Sequence, residues 1–104
     1  MKSYKKVADK IRKMGSFSEI YNCGNPTSFT PVNLYFQLCE AYVIGYTFYI
    51  CYNGTTWSID YTLDPSVTMR CKMQSIRGIK TDREMYQKVK EIIDSIREQC
   101  KTTK

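Results

Sequence analysis

The stretch YVIGYTFYICYNGTTWSIDYTL, residues 42–63, decides the fold. It consists mostly of β-branched and aromatic residues, which are typical of β-strands. In its middle lies Asn53-Gly54, a dipeptide favoured in two-residue hairpin turns. The stretch therefore predicts two antiparallel strands, residues 42–52 and 56–63, joined by a tight turn.

A two-residue loop at Asn53-Gly54 also predicts a register. It places Ile50 opposite Trp57 and Phe48 opposite Ile59, so the large apolar side chains of both strands share one face of the sheet. A slip of one residue would move one of the two sets to the other face, so we expect this register.

A third strand is predicted after a three-residue loop at residues 64–66. Ile59 then pairs with Cys71 on the apolar face, while Asp60 pairs with Arg70 on the polar face as an opposite-charge cross-strand pair. Such a sheet has one face packed on a core and one face exposed to water.

Two amphipathic helices flank the sheet. Residues 4–14 carry apolar side chains at helical spacing, with Ser3 as the N-cap and Gly15 as the C-terminal stop. Residues 81–101 start with a capping box, in which Thr81 is the N-cap and Glu84 the third helical residue. The apolar stripe of this second helix comprises Met85, Tyr86, Val89, Ile92, Ile93, Ile96 and Cys100.

Residues 16–41 give weaker signals. Residues 18–23 are compatible with a short edge strand. Residues 33–41 fit either a strand with Leu34, Phe36 and Leu38 pointing inward, or a helix capped by Thr30; we favour the strand. In that case a bulge or a longer turn must follow, because a tight turn at residues 40–41 would put these side chains on the wrong face.

The fold class predicted from these elements is α+β. We expect a two-layer sandwich, in which an antiparallel sheet of three to five strands carries the N-terminal and C-terminal helices on one face. The 104 residues contain no repeat, linker or low-complexity segment, so residues 1–104 are predicted to form a single domain.

The sequence nominates no catalytic residue, no metal site and no cofactor. It has no histidine, which removes the commonest general base and metal ligand. The five cysteines lie at least twelve positions apart, and we expect them to be reduced and mostly buried. We therefore expect a chain that is not an enzyme. Without a signal peptide or a membrane-spanning segment, the expected location is cytoplasmic.

The net charge of +6 is unevenly distributed. Residues 1–14 have six basic side chains and one acidic one, residues 15–69 have no basic side chain, and residues 70–80 have four basic and no acidic ones. The basic side chains of the first helix are Lys5, Lys6, Lys10, Arg12 and Lys13. Clusters of this kind either keep a small protein soluble or bind phosphates.

Two functions are compatible with these features. The first is a small, non-enzymatic protein-binding module or inhibitor, of the type that phages and mobile elements encode; an anti-CRISPR or other anti-defence protein is one example. Tyr49 is expected on the exposed sheet face, where a tyrosine can anchor an interface. The predicted partner-binding residues are Tyr49, Asp60, Arg70, Lys72, Arg77 and Lys80.

The alternative is a nucleic-acid-binding protein that uses the first helix and residues 70–80. The predicted α-β-β-β-α order resembles that of double-stranded RNA-binding domains. However, the basic Lys-Lys-x-Ala-Lys start of their last helix is replaced here by Thr81-Asp82-Arg83-Glu84. The resemblance is therefore one of topology alone and assigns no family.

Overall fold

A computed structural model describes residues 4–22, 32–40, 43, 45–64 and 72–102 of the chain. Two helices and five strands are formed by these residues. In chain order they are α1 (Tyr4–Arg12), β1 (Tyr21–Asn22), β2 (Val32–Gln37), β3 (Thr47–Tyr52), β4 (Trp57–Asp64), β5 (Lys72–Ile79) and α2 (Asp82–Thr102).

The five strands form one antiparallel sheet in the order β1-β2-β3-β4-β5. Helix α1 packs against β2, and α2 packs against β4 and β5. The inward side chains of the sheet and both helices bury one common core, whose largest members include Trp57, Phe36, Phe48, Ile11 and Ile93. The predicted α+β sandwich is thus confirmed, with five strands. The resemblance to double-stranded RNA-binding domains concerns three strands between two helices. Here two further strands, β1 and β2, lie between α1 and the strands β3, β4 and β5.

Both helices pack with the side that their sequence patterns predict, and α2 also begins where predicted. In α2, the Glu84 amide donates to the Thr81 hydroxyl at 3.1 Å, which confirms Thr81 as the N-cap. The start of α2 is also tied to the sheet, because the buried indole of Trp57 donates from Nε1 to Oδ1 of Asp82 at 2.9 Å. The predicted cap of α1, Ser3, lies outside the described residues.

The predicted register of β3 and β4 is wrong by two residues. Ile50 lies opposite Ile59, and Trp57 lies opposite Tyr52 rather than Ile50. The strands are joined by four residues instead of two, since the Asn53 side chain accepts hydrogen bonds from the amides of Thr55 and Thr56 at 2.9 and 2.8 Å. A shift by two residues preserves the face of every side chain, so the prediction of which residues point inward survives.

The predicted register of β4 and β5 is also wrong. Ile59 pairs with Ile76 rather than Cys71, and Asp60 pairs with Ser75 rather than Arg70. The strand begins at Lys72 and extends to Ile79, later than expected. A bulge near its end contains Gly78 at φ 74°, a conformation that favours glycine. The extra residue lets Ile76 and Ile79 both turn inward although they are three positions apart.

The strand interpretation of residues 33–41 is confirmed for β2. Leu34, Phe36 and Leu38 are buried, and pairing continues beyond β2 where the Leu38 amide donates to the Tyr46 carbonyl at 3.0 Å. The connection to β3 is longer than a tight turn, which agrees with the inward direction of Leu34, Phe36 and Leu38. It includes an isolated bridge between Glu40 and Val43.

An ion pair joins the end of α1, the β2–β3 connection and α2. Arg97 donates from Nε to Oε1 of Glu40 at 2.8 Å and from Nη2 to Oε2 at 2.6 Å, and Nη2 also donates to the Met14 carbonyl at 3.0 Å. The hydrogen bond from Arg97 holds the pKa of Glu40 below its ordinary value. Gly15 lies against this pair: a Cβ there would approach Oε2 of Glu40 to 2.7 Å. A side chain at position 15 would therefore require the Glu40–Arg97 pair to shift. Gly15 is not the C-terminal stop that we expected, because α1 already ends at Arg12.

Replacing Arg97 by methionine is expected to lower the free energy of unfolding by about 1–2 kcal/mol at pH 7, because charged hydrogen bonds in a partly exposed site are lost. Because folding lowers the pKa of Glu40, the stability lost on replacing Arg97 is largest above the ordinary glutamate pKa of about 4.3. The loss becomes smaller as the pH falls through the lower pKa of the folded state and Glu40 is protonated. Urea titrations at pH 7 and pH 3 measure it.

Lys88→Met is the matched control, because Lys88 forms an exposed 3.7 Å pair with Glu91. It should cost less than about 0.5 kcal/mol. Equal losses in the two variants would contradict a structural role for the Arg97–Glu40 pair.

Candidate functional site

The sheet face opposite the helices, called the open face below, carries a row of side chains that crosses all five strands. Tyr21 lies opposite Tyr35, Tyr35 opposite Tyr49, Tyr49 opposite Asp60, and Asp60 opposite Ser75. Directly opposed residues in an antiparallel sheet point to the same side. With strands about 4.8 Å apart, the row is roughly 19 Å long.

The open face also holds every large apolar side chain that is exposed in the described parts of the chain. These are Tyr21, Tyr49 and Met73, which are 52%, 40% and 45% exposed. Met73 lies opposite Thr62, two residues before Ser75 on β5. Exposed apolar side chains scattered singly need no explanation, but three on one face make this face a candidate interaction site.

Three tyrosines, Tyr21, Tyr35 and Tyr49, form what we call the tyrosine row. The rings of Tyr35 and Tyr49 have centroids 4.9 Å apart at an interplanar angle of 51°. The Tyr21 hydroxyl donates to Oε2 of Glu19 at 3.2 Å, and this hydrogen bond raises the pKa of Tyr21. The phenol of Tyr21 is therefore protonated at neutral pH and serves as an uncharged donor.

Beside Tyr49 the open face carries charge. Arg77 Nη2 lies 4.0 Å from Oδ1 of Asp60, and the Arg77 side chain is 73% exposed. Oδ1 of Asp60 is enclosed and accepts no hydrogen bond from the described residues. Burial, and then the charge of Asp60, raise the pKa of the Cys51 thiol. Cys51 is thus protonated at neutral pH and is a poor nucleophile.

The structure brings together three of the predicted partner-binding residues, namely Tyr49, Asp60 and Arg77. Lys80 is exposed between the end of β5 and the start of α2. The backbone of Lys72 lies at the start of β5, and Arg70 falls outside the described residues.

The basic residues of α1 lie in the other layer of the sandwich. Val7, Ala8 and Ile11 turn one side of α1 to the core, and the basic side chains occupy the exposed side. Two of them have partners within the chain, because Arg12 donates to Asp9 at 2.7 Å and Lys10 lies over the ring of Tyr86 on α2. Arg77 faces the opposite side of the sheet, so α1 and Arg77 do not form one positive surface.

Sequence reasoning missed Tyr21, Tyr35 and Met73. The signal for Tyr35 was present, since inward Leu34 and Phe36 imply an outward side chain between them. Tyr21 and Met73 required the pairing of β1 with β2 and of β4 with β5, which a local pattern does not supply.

The cysteines differ from expectation in their burial. Cys39 is exposed, and Cys51 and Cys100 are half-buried; all three are free thiols. Cys23 and Cys71 lie outside the described residues. Within the described ranges, no three histidine, cysteine, aspartate or glutamate side chains cluster as metal ligands would.

None of the described helices is both long and apolar enough to cross a membrane. Comparisons with protein-family models, with curated proteins and with solved structures gave no match to this chain.

Proposed function

We propose that this chain is a non-enzymatic module that binds a partner protein through its open face and acts as an inhibitor or adaptor. The observation that carries the proposal is the clustering of exposed Tyr21, Tyr49 and Met73 on a sheet face that no described element covers. Tyrosine, methionine and arginine are the residues enriched at protein interfaces, and tyrosine and arginine dominate their binding energy.

The geometry of the row supports this function. Rigid strands hold the tyrosines in fixed positions, so little conformational entropy is lost when a partner covers them. Asp60 and Arg77 lie next to Tyr49 and offer one charge of each sign to a complementary partner. The face therefore combines a row of tyrosines with charged groups at both ends, and interfaces likewise surround an apolar core with a polar rim.

Nucleic-acid binding is less well supported by the arrangement of charge. Glu19 lies beside Tyr21 at one end of the tyrosine row and Asp60 beside Tyr49 at the other, so carboxylates flank the row. The basic side of α1 points away from this face. A phosphate backbone laid along the row would meet both carboxylates and few cations.

Site-specific photo-crosslinking tests the proposal. The photoreactive residue p-benzoylphenylalanine is placed at Tyr21 or Tyr49 and, as matched controls, at Lys6 of α1 or Lys90 of α2, which are also exposed. In extracts of the cells that express the chain, we expect both open-face positions to crosslink to the same protein. Crosslinks to one protein from Lys6 and Lys90, with none from Tyr21 and Tyr49, would refute the open face as the interface.

A salt titration separates the two functions. We expect labelled duplex and single-stranded DNA to bind no tighter than about 10 μM at physiological salt, as is usual for non-specific binding. Submicromolar, salt-sensitive binding that is lost in the Lys72→Glu/Arg77→Glu double variant and weakened in Lys5→Glu/Lys6→Glu would favour the nucleic-acid alternative. Circular dichroism checks that both variants are folded.

A further inference from the structure

Strand β5 is the last strand of the sheet, and β4 is its only partner among the described strands. Its eight residues, Lys72–Ile79, leave one edge with backbone amides and carbonyls that do not pair within the sheet. An edge of this kind is a template for another strand. Gly78 and its bulge end the regular part of β5, and a second irregularity in pairing lies between Lys72 and Met73, so the usable stretch is residues 73–76.

A cavity of about 250 Å³ lies between this part of the sheet and α2. Ile76, Ile92 and Ile96 contribute apolar surface to it, and the exposed Lys88, Glu91 and Ser95 also line it. A strand paired with β5 would lie about 4.8 Å beyond it and would point every second side chain to the helix side. One apolar side chain of such a strand could therefore enter the cavity.

Charge indicates what kind of strand fits this edge. Arg77 near the end of β5 and Lys80 just after it are basic and exposed, and β5 contains no acidic residue. Arg77 is largely exposed and only loosely paired with Asp60. A second copy of β5 would bring these positive charges together, whereas an acidic segment would complement them.

We propose that an extended acidic segment of the partner protein adds to β5 as a sixth strand and places an apolar side chain in the cavity beside α2. This inference rests on the proposed function and names the chemistry of the partner. Backbone pairing supplies affinity, the cavity selects the apolar side chain, and the basic edge selects acidic neighbours. The added strand continues the sheet next to Ser75, so it adjoins the open face.

The probe is a fluorescein-labelled ten-residue peptide in which valine and glutamate alternate, and fluorescence anisotropy measures its binding to the full chain. Two control peptides carry lysine in place of glutamate, or N-methyl groups on alternate amides along the edge that would pair. We expect the acidic peptide to bind at least about tenfold more tightly than either control, because one lacks the charge and the other the backbone hydrogen bonds.

Variants of the chain locate the binding. Arg77→Glu should lower the affinity for the acidic peptide about tenfold or more. Lys6→Glu, the same charge change on α1, should change this affinity by no more than about twofold. Ser95→Trp should weaken binding by filling the cavity, and Lys90→Trp, which adds the same ring elsewhere on α2, should not. Circular dichroism verifies that each variant folds.

Equal binding of the acidic, lysine and N-methylated peptides would overturn the inference. So would a monomer–dimer equilibrium through β5 that the acidic peptide does not shift, measured by analytical ultracentrifugation. Open-face crosslinks to a partner that survive Arg77→Glu and Ser95→Trp unchanged would overturn the β5 inference alone and leave the proposed function standing.

Discussion

Replacing Phe48 by alanine is expected to lower the free energy of unfolding by about 3–5 kcal/mol, the usual cost of a large cavity in a core. Phe48 is fully buried in the central strand β3. Its ring stacks on Phe36 with centroids 5.2 Å apart, and the Tyr61 ring lies 6.3 Å away on its other neighbour strand. Strands on both sides cannot move in to fill the space without breaking their own pairing, so little relaxation is available.

Tyr49→Ala is the matched control, because Tyr49 follows Phe48 on the same strand and points to the open face. We expect it to cost no more than about 1 kcal/mol, the range of strand propensity. Urea unfolding followed by the fluorescence of the buried Trp57 measures both variants. Equal losses would show that the two faces of β3 have been assigned incorrectly.

The double replacement Tyr35→Ala/Tyr49→Ala is expected to lower the affinity for the partner protein identified by crosslinking by at least about 100-fold. Central tyrosines of an interface often contribute 2 kcal/mol or more each, and 1.4 kcal/mol corresponds to a factor of ten. The two rings contact each other on neighbouring strands, so their contributions need not add. Surface plasmon resonance with the crosslinked protein as ligand measures the change.

The conservative pair Tyr35→Phe/Tyr49→Phe separates ring area from the hydroxyl groups. If packing area dominates, this double variant should bind within about thirtyfold of the unmodified chain, since each of the two hydroxyl hydrogen bonds contributes at most about 1 kcal/mol. Alanine variants that bind as tightly as the unmodified chain would remove the tyrosine row from the interface.

Elements defined by local patterns could be predicted from the sequence. Helices α1 and α2 follow from apolar spacing, and the start of α2 follows from Thr81. The inward direction of Phe48, Ile50, Trp57 and Ile59 in β3 and β4 was also predicted correctly. Because side chains alternate with a period of two, the two-residue error in pairing moved none of them to the wrong face.

Pairing itself could not be predicted, because it depends on turn geometry. The Asn53 side chain closes a four-residue loop where its sequence predicted a two-residue turn. The bulge at Gly78 brings Ile76 and Ile79 to the same face at a spacing of three, which no period-two pattern detects. Strand β5 was therefore placed too early, and with it the expected partners of Ile59 and Asp60.

The candidate site was predictable only in part for the same reason. Tyr49 and its position on the exposed face followed from the alternation in β3. The row that joins it to Tyr21 and Tyr35 depends on the pairing of three strands, and Tyr21 and Tyr49 are 28 positions apart. The contact of Arg97 with Glu40, across 57 positions, had no local signal at all.

Hydroxyl-radical footprinting of the chain, free and bound to its crosslinked partner, tests the open face most directly. Mass spectrometry then reads the oxidation of Tyr21, Tyr49 and Met73 against that of Tyr4 and Met14, which lie half-buried at α1 and its end. We predict that oxidation of the three open-face residues falls several-fold in the complex and that Tyr4 and Met14 do not change. Protection of Tyr4 and Met14 with no change at Tyr21, Tyr49 and Met73 would contradict the central claim.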